Sequence, residues 1–356
     1  MPTIELYHNW SRRIRELRPD ERITRVRNLA WLLVGLYQSR SVHLSKIAEK
    51  IPGTACLPSL TRRLSRFLSN PALNVRRWYE PIARNIIQRV AHDEVRLIVD
   101  ASKIGAGHQL MMVAIAYRRR AIPLAWTWVK WSRGHSKSYK QMALLSYVHG
   151  LIPATASVIA VGDGEFGTVE VQELLRRWGW HYVLRQKRRY LVKPEGGKAF
   201  QRLDSLVSKP GQRVWLSNCT LTAQHKYRTN LVAYWKPGEK EPWFLATNLE
   251  CQRATLRAYR RRMWIEEMFG DLKGNGFDLE STHLRHILRL SRLTLAVVLL
   301  YVWLLAFGSR TIKSGKRRLV DRSDRRDYSV FRIGRNMIER CLTNGLSFSI
   351  PLVPCR

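Results

Sequence analysis

Apolar residues along this chain change their spacing near residue 95, and the change divides the sequence. Before it, Val26, Leu29, Leu32, Leu33 and Leu36 recur at helical spacing with charged residues between them, so the first ninety or so residues predict helices. Within them LSKIAEKI, PGTACLP and SLTRRLSRFLS predict a helix, a Gly/Pro turn and a second helix opened by Ser59 as N-cap. From Val95 the runs RLIVDAS, QLMMVAIAYR and AIPLAWTWV predict three successive strands, the last two joined by a tight basic turn at Arg118 to Arg120. A helix around residues 139–148 comes next. SVIAVG then reads as a buried strand running into the turn DGEFG, followed by a helix (VEVQELLRRWG) and a strand (HYVLRQ). Strands alternating with helices after an initial meander make the fold class mixed α/β.

Between residues 186 and 243 the pattern breaks into short strand-like pieces, RVWLSNCTLTAQ and TNLVAYWKPG, punctuated by Gly196-Gly197, Pro210-Gly211 and Pro237-Gly238. This predicts a small β insertion. A long helix runs from about residue 254 to residue 273, where Gly274 and Gly276 stop it. The next helix holds LTLAVVLLYVWLLAF, residues 293–307. That run is uncharged but shorter than the roughly 18 to 20 residues a bilayer span needs, which predicts a buried core helix and no membrane partner. From Ser309 the basic stretch SRTIKSGKRRLVDRSDRRDY reads as a tail or peripheral arm. The expected division is a helical domain over 1–92, a core over 93–185 and 244–308, an insertion over 186–243 and a basic C-terminal tail over 309–356.

Composition adds the partner. Of 356 residues, 62 are Lys or Arg and 27 are Asp or Glu, a formal net charge of +35, and such an excess has to meet a polyanion. A hydrophobic fraction of 45% with 13 tryptophans excludes a disordered basic tail, which lacks apolar surface to offset ordering entropy. Charge alone does not choose among polyphosphate, anionic membrane and nucleic acid. On nucleic acid, the helix carrying Arg62, Arg63 and Arg66 would read the major groove as the second element of a helix-turn-helix. Cysteines at 56, 219, 251, 341 and 355 form no CxxC pair, so neither a disulfide framework nor structural zinc is expected. The N-terminus lacks the apolar stretch of a signal peptide, and no GxxxxGK[ST] or HExxH motif occurs.

The chemistry gathers on AYRRRMWIEEMFGDLKGNG. On one continuous helix Tyr259, Arg262, Glu266 and Lys273 share an arc of roughly 60°, while Glu267 lies about 100° from Glu266. Asp100 closes the apolar run LIVD and Asp163 closes VIAVGD. Carboxylates at the ends of adjacent strands can converge. If the Glu266 face packs across them, three carboxylates form an oxygen-rich site suited to Mg²⁺ or Mn²⁺, and two such ions could run phosphodiester chemistry. Each residue alone has a plainer reading: a turn Asp, or a salt-bridged solvent face.

Taken together these residues resemble the DDE transposases of bacterial insertion sequences, in particular the insertion-sequence-four group. That group shows YxxRxxxExxxxxxK around its catalytic glutamate, and Tyr259, Arg262, Glu266 and Lys273 fill each position. Its first Asp follows a hydrophobic strand, as in LIVDAS, and its second sits in a GDxxF-like turn, as in GDGEFG; Gly164 stands where that group often has a basic residue. The resemblance covers residues 97–273. It implies a ribonuclease-H-like catalytic core with a β-strand insertion between the second Asp and the Glu, preceded by an all-helical DNA-binding domain for the terminal inverted repeats.

The resemblance also implies a magnesium-dependent endonuclease of DNA transposition and recombination. Asp100, Asp163 and Glu266 would be catalytic and would ligate two Mg²⁺ (or Mn²⁺) ions. Double-stranded DNA at the insertion-sequence ends and the target is the expected partner, met by a homodimer through a hairpin intermediate. Tyr259, Arg262 and Lys273 would hold terminal phosphates, and Trp235 and Trp243 are candidate platforms for a flipped base. A bacterial, cytoplasmic and nucleoid-associated location follows. Two other readings stand beside it: a tyrosine-type recombinase, from His286 and Arg289 as HxxR, and a catalytically inactive DNA-binding protein.

Overall fold

The computed structural model describes residues 2–90, 94–105, 107–130 and 136–355. Five helices open the chain: α1 (Pro2–Leu17), α2 (Ile23–Ser39), α3 (Leu44–Ala48), α4 (Leu57–Ser69) and α5 (Val75–Val90). The second helix of the expected helix-turn-helix begins at Leu57, capped by the Cys56 backbone rather than by Ser59. Pro58 suits that first turn, where its missing N–H is not needed.

The meander follows as β1 (Glu94–Ile104), β2 (His108–Tyr117) and β3 (Arg120–Lys130). Arg118 and Arg119 form a two-residue hairpin turn with φ of 42° and 62°, the left-handed pair that matches strand twist. Next come α6 (Ser138–His149), β4 (Ser157–Gly162), α7 (Val169–Arg177) and β5 (His181–Arg185). The strand order β3-β2-β1-β4-β5, with β1, β4 and β5 parallel and the first three antiparallel, fits the expected ribonuclease-H-like core.

The stretch read as an insertion does not build a separate sheet. Its strands β6 (Leu191–Lys193), β7 (Gln201–Arg202), β8 (Arg213–Leu221) and β9 (Tyr227–Tyr234) continue through β10 (Trp243–Thr247), which pairs antiparallel with β5 and completes ten strands. It keeps its own small core around Val192, Leu203, Leu221 and Phe244.

Helices α8 (Gln252–Tyr259), α9 (Met263–Leu272), α10 (Ile287–Lys313) and α11 (Val330–Thr343) complete the chain. By composition α10 could cross a bilayer, yet 89% of its most apolar window is buried by the rest of the protein. It runs antiparallel to β3: Trp126 Nε1 donates to the Ser291 carbonyl at 3.4 Å, Trp128 Nε1 to Thr294 Oγ1 at 3.0 Å, and the Tyr301 hydroxyl to the Ala121 carbonyl at 3.0 Å.

Leu6, Trp10, Leu33 and Leu64 of the N-terminal helices share one hydrophobic core with Met112, Leu293 and Trp303. The expected boundary at residues 92 and 93 lies outside the described residues, and the core is continuous across it.

The C-terminal stretch expected as a tail is part of that core. Phe331, Ile333 and Ile338 of α11 are buried, and the helix crosses α10 at van der Waals contact through two glycines. A Cβ on Gly334 would stand 1.9 Å from the Leu304 carbonyl oxygen, and one on Gly308 2.0 Å from that of Val330, so neither position admits a side chain.

Candidate active site

Parallel pairing of β1 with β4 ends at Val99 and Gly162. Asp100 and Asp163 are the next residue on each strand, so the two carboxylates emerge side by side where parallel chains lie about 4.8 Å apart. Asp100 does not close its strand: β1 continues to Ile104 against β2, which buries Asp100 to 7% exposure. One carboxylate oxygen accepts the Ala101 N–H at 2.8 Å and the other accepts Arg262 Nη1 at 3.1 Å. Burial, reinforced by the negative charges of Asp163 and Glu266, pushes the Asp100 carboxyl up to about 7 against the opposing pull of Arg262.

Asp163 is set by its own turn. Its carboxylate accepts the Glu165 N–H at 2.9 Å and its carbonyl the Phe166 N–H at 3.1 Å, while the Phe166 ring is fully buried as an anchor. Glu165, which the sequence reading passed over, is a buried carboxylate that locks this turn to its neighbours. Gln109 Nε2 donates to it at 2.9 Å, and Ser136 donates through N at 2.8 Å and Oγ at 2.5 Å. Its signal was present as the acid two residues after Asp163, in a turn otherwise built of small and apolar residues.

The long helix expected from residue 254 is broken. A 3₁₀ turn at Arg260–Arg262 separates α8 from α9, and α9 ends at Leu272. The single arc of four residues therefore does not form. Lys273 lies past the helix end and pairs with Glu280 at 3.6 Å. Arg262 and Glu266 still meet at i,i+4, and the same guanidinium that holds Asp100 also donates to Glu266 Oε1.

Glu267 turns away as the wheel placed it, pairing with Arg120 at 3.0 Å. Arg120 also binds Asp271 at 2.7 Å. Tyr259 is 3% exposed with its hydroxyl buried and, among the described residues, without a hydrogen-bond partner. Burial raises the phenol above its usual value, with Arg262 opposing that shift.

Among the described residues, no three His, Cys, Asp or Glu side chains stand close enough to hold a metal ion together. Asp163 and Glu266 are nonetheless near enough for their charges to act on Asp100. The Arg262 guanidinium bridges Asp100 to Glu266 and neutralises what three bare carboxylates would leave uncompensated. The carboxylate oxygens, one of them buried and charged only at a cost, are donors for a hard divalent cation, with the Met263 thioether held on Arg262 next to Glu266.

The other expected residues divide. Trp243 packs beside the site, its ring 5.1 Å from that of Tyr259. Trp235 packs on the small core of the β6–β9 stretch and donates to the Glu239 carbonyl at 3.0 Å. On α4, Arg62 and Arg66 are exposed along one face, whereas Arg63 is partly buried, its Nε and Nη2 lacking partners among the described residues. Arg289 of the HxxR pair donates to Ser65 Oγ at 2.8 Å, tying α10 to α4.

Paired carboxylates at the ends of the central parallel strands, faced by a third on a helix, make this a carboxylate site on a ribonuclease-H-like sheet. Residues 91–303, more than half of the chain, match the family of the transposase DDE domain. The chain belongs to that family, whose members carry out transposition and DNA recombination. No curated protein matches it by sequence. Among solved structures it is similar to a piggyBac transposase synaptic complex with hairpin DNA, at a TM-score of 0.48 and 10% identity over 98% of this chain and 83% of that one.

Proposed function

We propose that this DDE transposase is of the insertion-sequence-four type and cleaves the ends of its element with Asp100, Asp163 and Glu266. The observation that carries the reading is Arg262, shared between Asp100 and Glu266 beside the unpartnered Tyr259 hydroxyl. The three carboxylates would hold two Mg²⁺ or Mn²⁺ ions, which supply activation of the attacking oxygen and charge compensation at the leaving one. Arg262 moves from the carboxylates to a terminal phosphate, where its fork suits two oxygens. Tyr259 donates its free O–H to the same phosphate, and Lys273 adds a point charge on leaving Glu280.

Hydrolysis frees a 3′-hydroxyl at the element end. That hydroxyl attacks the opposite strand to form a hairpin, which is opened and joined to target DNA. Trp243, beside Tyr259, is better placed than Trp235 to stack a flipped base. The exposed Arg62 and Arg66 of α4 read the terminal repeats, and a homodimer on the bacterial nucleoid brings two ends together.

The test is a labelled end duplex incubated with Mg²⁺ and resolved on a denaturing gel. Nicks and hairpins are expected from the native chain, and neither from Asp100→Asn, Asp163→Asn or Glu266→Gln. Full activity in EDTA, or cleavage by all three variants, refutes the reading.

A further inference from the structure

At the far end of α10 a cleft of about 990 Å³ opens between α1, the end of α5 and the C-terminal segment. Five cations line it, Arg12, Arg13, Arg89, Arg310 and Lys313, against the one acid Glu16. Among the described residues only Arg13 has an ion pair, to Glu16 at 2.8 Å, and its Nε is still buried without an acceptor. Like charges gathered in one concavity repel one another and focus a positive potential outward.

The cleft continues into a second hollow of about 520 Å³ along the same face of α1, past His8 to Glu5. From Glu5 to Glu16 the trough follows α1 for about 16 Å. The second hollow adds the acid Glu5 and no further Lys or Arg, and five cations against two acids along an elongated trough suit a linear run of phosphates better than a compact anion.

Its position matters as well. Asp100 pairs with Met112, Met112 with Trp126, and Trp126 reaches the Ser291 carbonyl. Arg310 follows Ser291 by 19 residues of α10, about 28 Å of helix. That is the length of about eight base pairs of duplex.

We propose that this trough is a second DNA contact, binding backbone phosphates of duplex away from the catalytic carboxylates. The phosphates belong either to the interior of the duplex whose end is cut or to a separate duplex. The inference rests on the proposed function only in taking DNA as the polyanion.

The test compares the native chain with the triple variant Arg12→Gln, Arg310→Gln, Lys313→Gln on sequence-unrelated duplexes of about 30 and about six base pairs. Such duplexes need no recognised end, so the outcome stands apart from whether the chain nicks one. Affinity for the long duplex should fall roughly tenfold to a hundredfold, and the salt slope should flatten by about three. If both contacts lie on one duplex, the loss is confined to the long one. If they lie on two, the short duplex loses its second binding equivalent.

Arg12→Lys with Arg310→Lys should keep the affinity, since a point charge suffices for backbone phosphate. The three single variants, each expected to give a graded loss, guard against a folding defect in the triple one. Unchanged affinity and slope for both duplexes overturn the proposal. So does loss of inorganic tripolyphosphate binding alone, which would make the cleft a small-anion site.

Discussion

Replacing Asp100 with asparagine should make the protein more stable, by an amount that depends on pH. Burial and two neighbouring carboxylates push the Asp100 carboxyl from 3.8 to about 7. Protonation of the folded state is thus favoured over that of the unfolded chain. The stability this lends is fully present below pH 3.8 and is lost as the pH rises through 7. The loss amounts to about three pKa units at 1.36 kcal/mol each, or about 4 kcal/mol at most.

Asparagine keeps the shape and never ionises, so the variant escapes that cost. Urea unfolding without divalent ions should put Asp100→Asn above the native chain by up to about 4 kcal/mol at pH 8. The gap should narrow to about 1.5 kcal/mol at pH 5 and almost close at pH 4. Millimolar Mg²⁺ should then raise the midpoint of the native chain more than that of the variant, because a ligand stabilises only the form that binds it. Equal midpoints at pH 8, or a gap that persists unchanged into acid, would refute the reasoning.

Glu266→Gln should abolish nicking while leaving DNA binding intact. Glu267→Gln, which loses only its exposed pairing with Arg120, should keep cleavage within a few-fold and cost under about 1 kcal/mol; the reverse pattern in one gel assay would sink the assignment. Trp243→Ala should suppress hairpins more than first-strand nicks, while Trp235→Ala should lower the melting temperature and spare the hairpin yield. Arg62→Ala with Arg66→Ala should remove preference for element ends in a competition assay while metal-dependent nicking persists.

The strands and helices of the core were legible because their apolar spacing is regular, and Asp100 and Asp163 stand out as acids ending apolar runs. What escaped the sequence depends on contacts between distant segments. The wheel through Tyr259, Arg262, Glu266 and Lys273 assumed unbroken 3.6-residue turns, and three consecutive arginines carry no sign of the 3₁₀ turn they adopt. The C-terminal stretch read as a tail because in its first part, residues 309–328, charges outnumber apolar residues. Gly308 and Gly334, the pair that lets α11 lie against α10, have meaning only once both helices are known. Glu165 was hidden differently. Its donors come from β2 and from Ser136, so beyond its place in a turn of small and apolar residues nothing near it in sequence marks it as buried.

Charge balance ties the occupants of the site to one another. Arg262 keeps one nitrogen on Asp100 and another on Glu266, so a cation entering among these carboxylates has to displace a guanidinium already there. A phosphate that draws Arg262 away leaves both carboxylates unneutralised beside Asp163. On the proposed reading each event lowers the cost of the other, and linkage makes the coupling reciprocal: DNA that engages Arg262 tightens metal binding by the same factor that metal tightens the grip on DNA. A chain with a net charge of +35 meets duplex of any sequence far more often than it meets an element end. On the same reading, holding the carboxylates on an internal arginine until a terminal phosphate claims it keeps encounters with duplex interiors unproductive. On the proposed reading the same coupling lets Arg262 serve both as counter-ion to the acids and as clamp on the substrate.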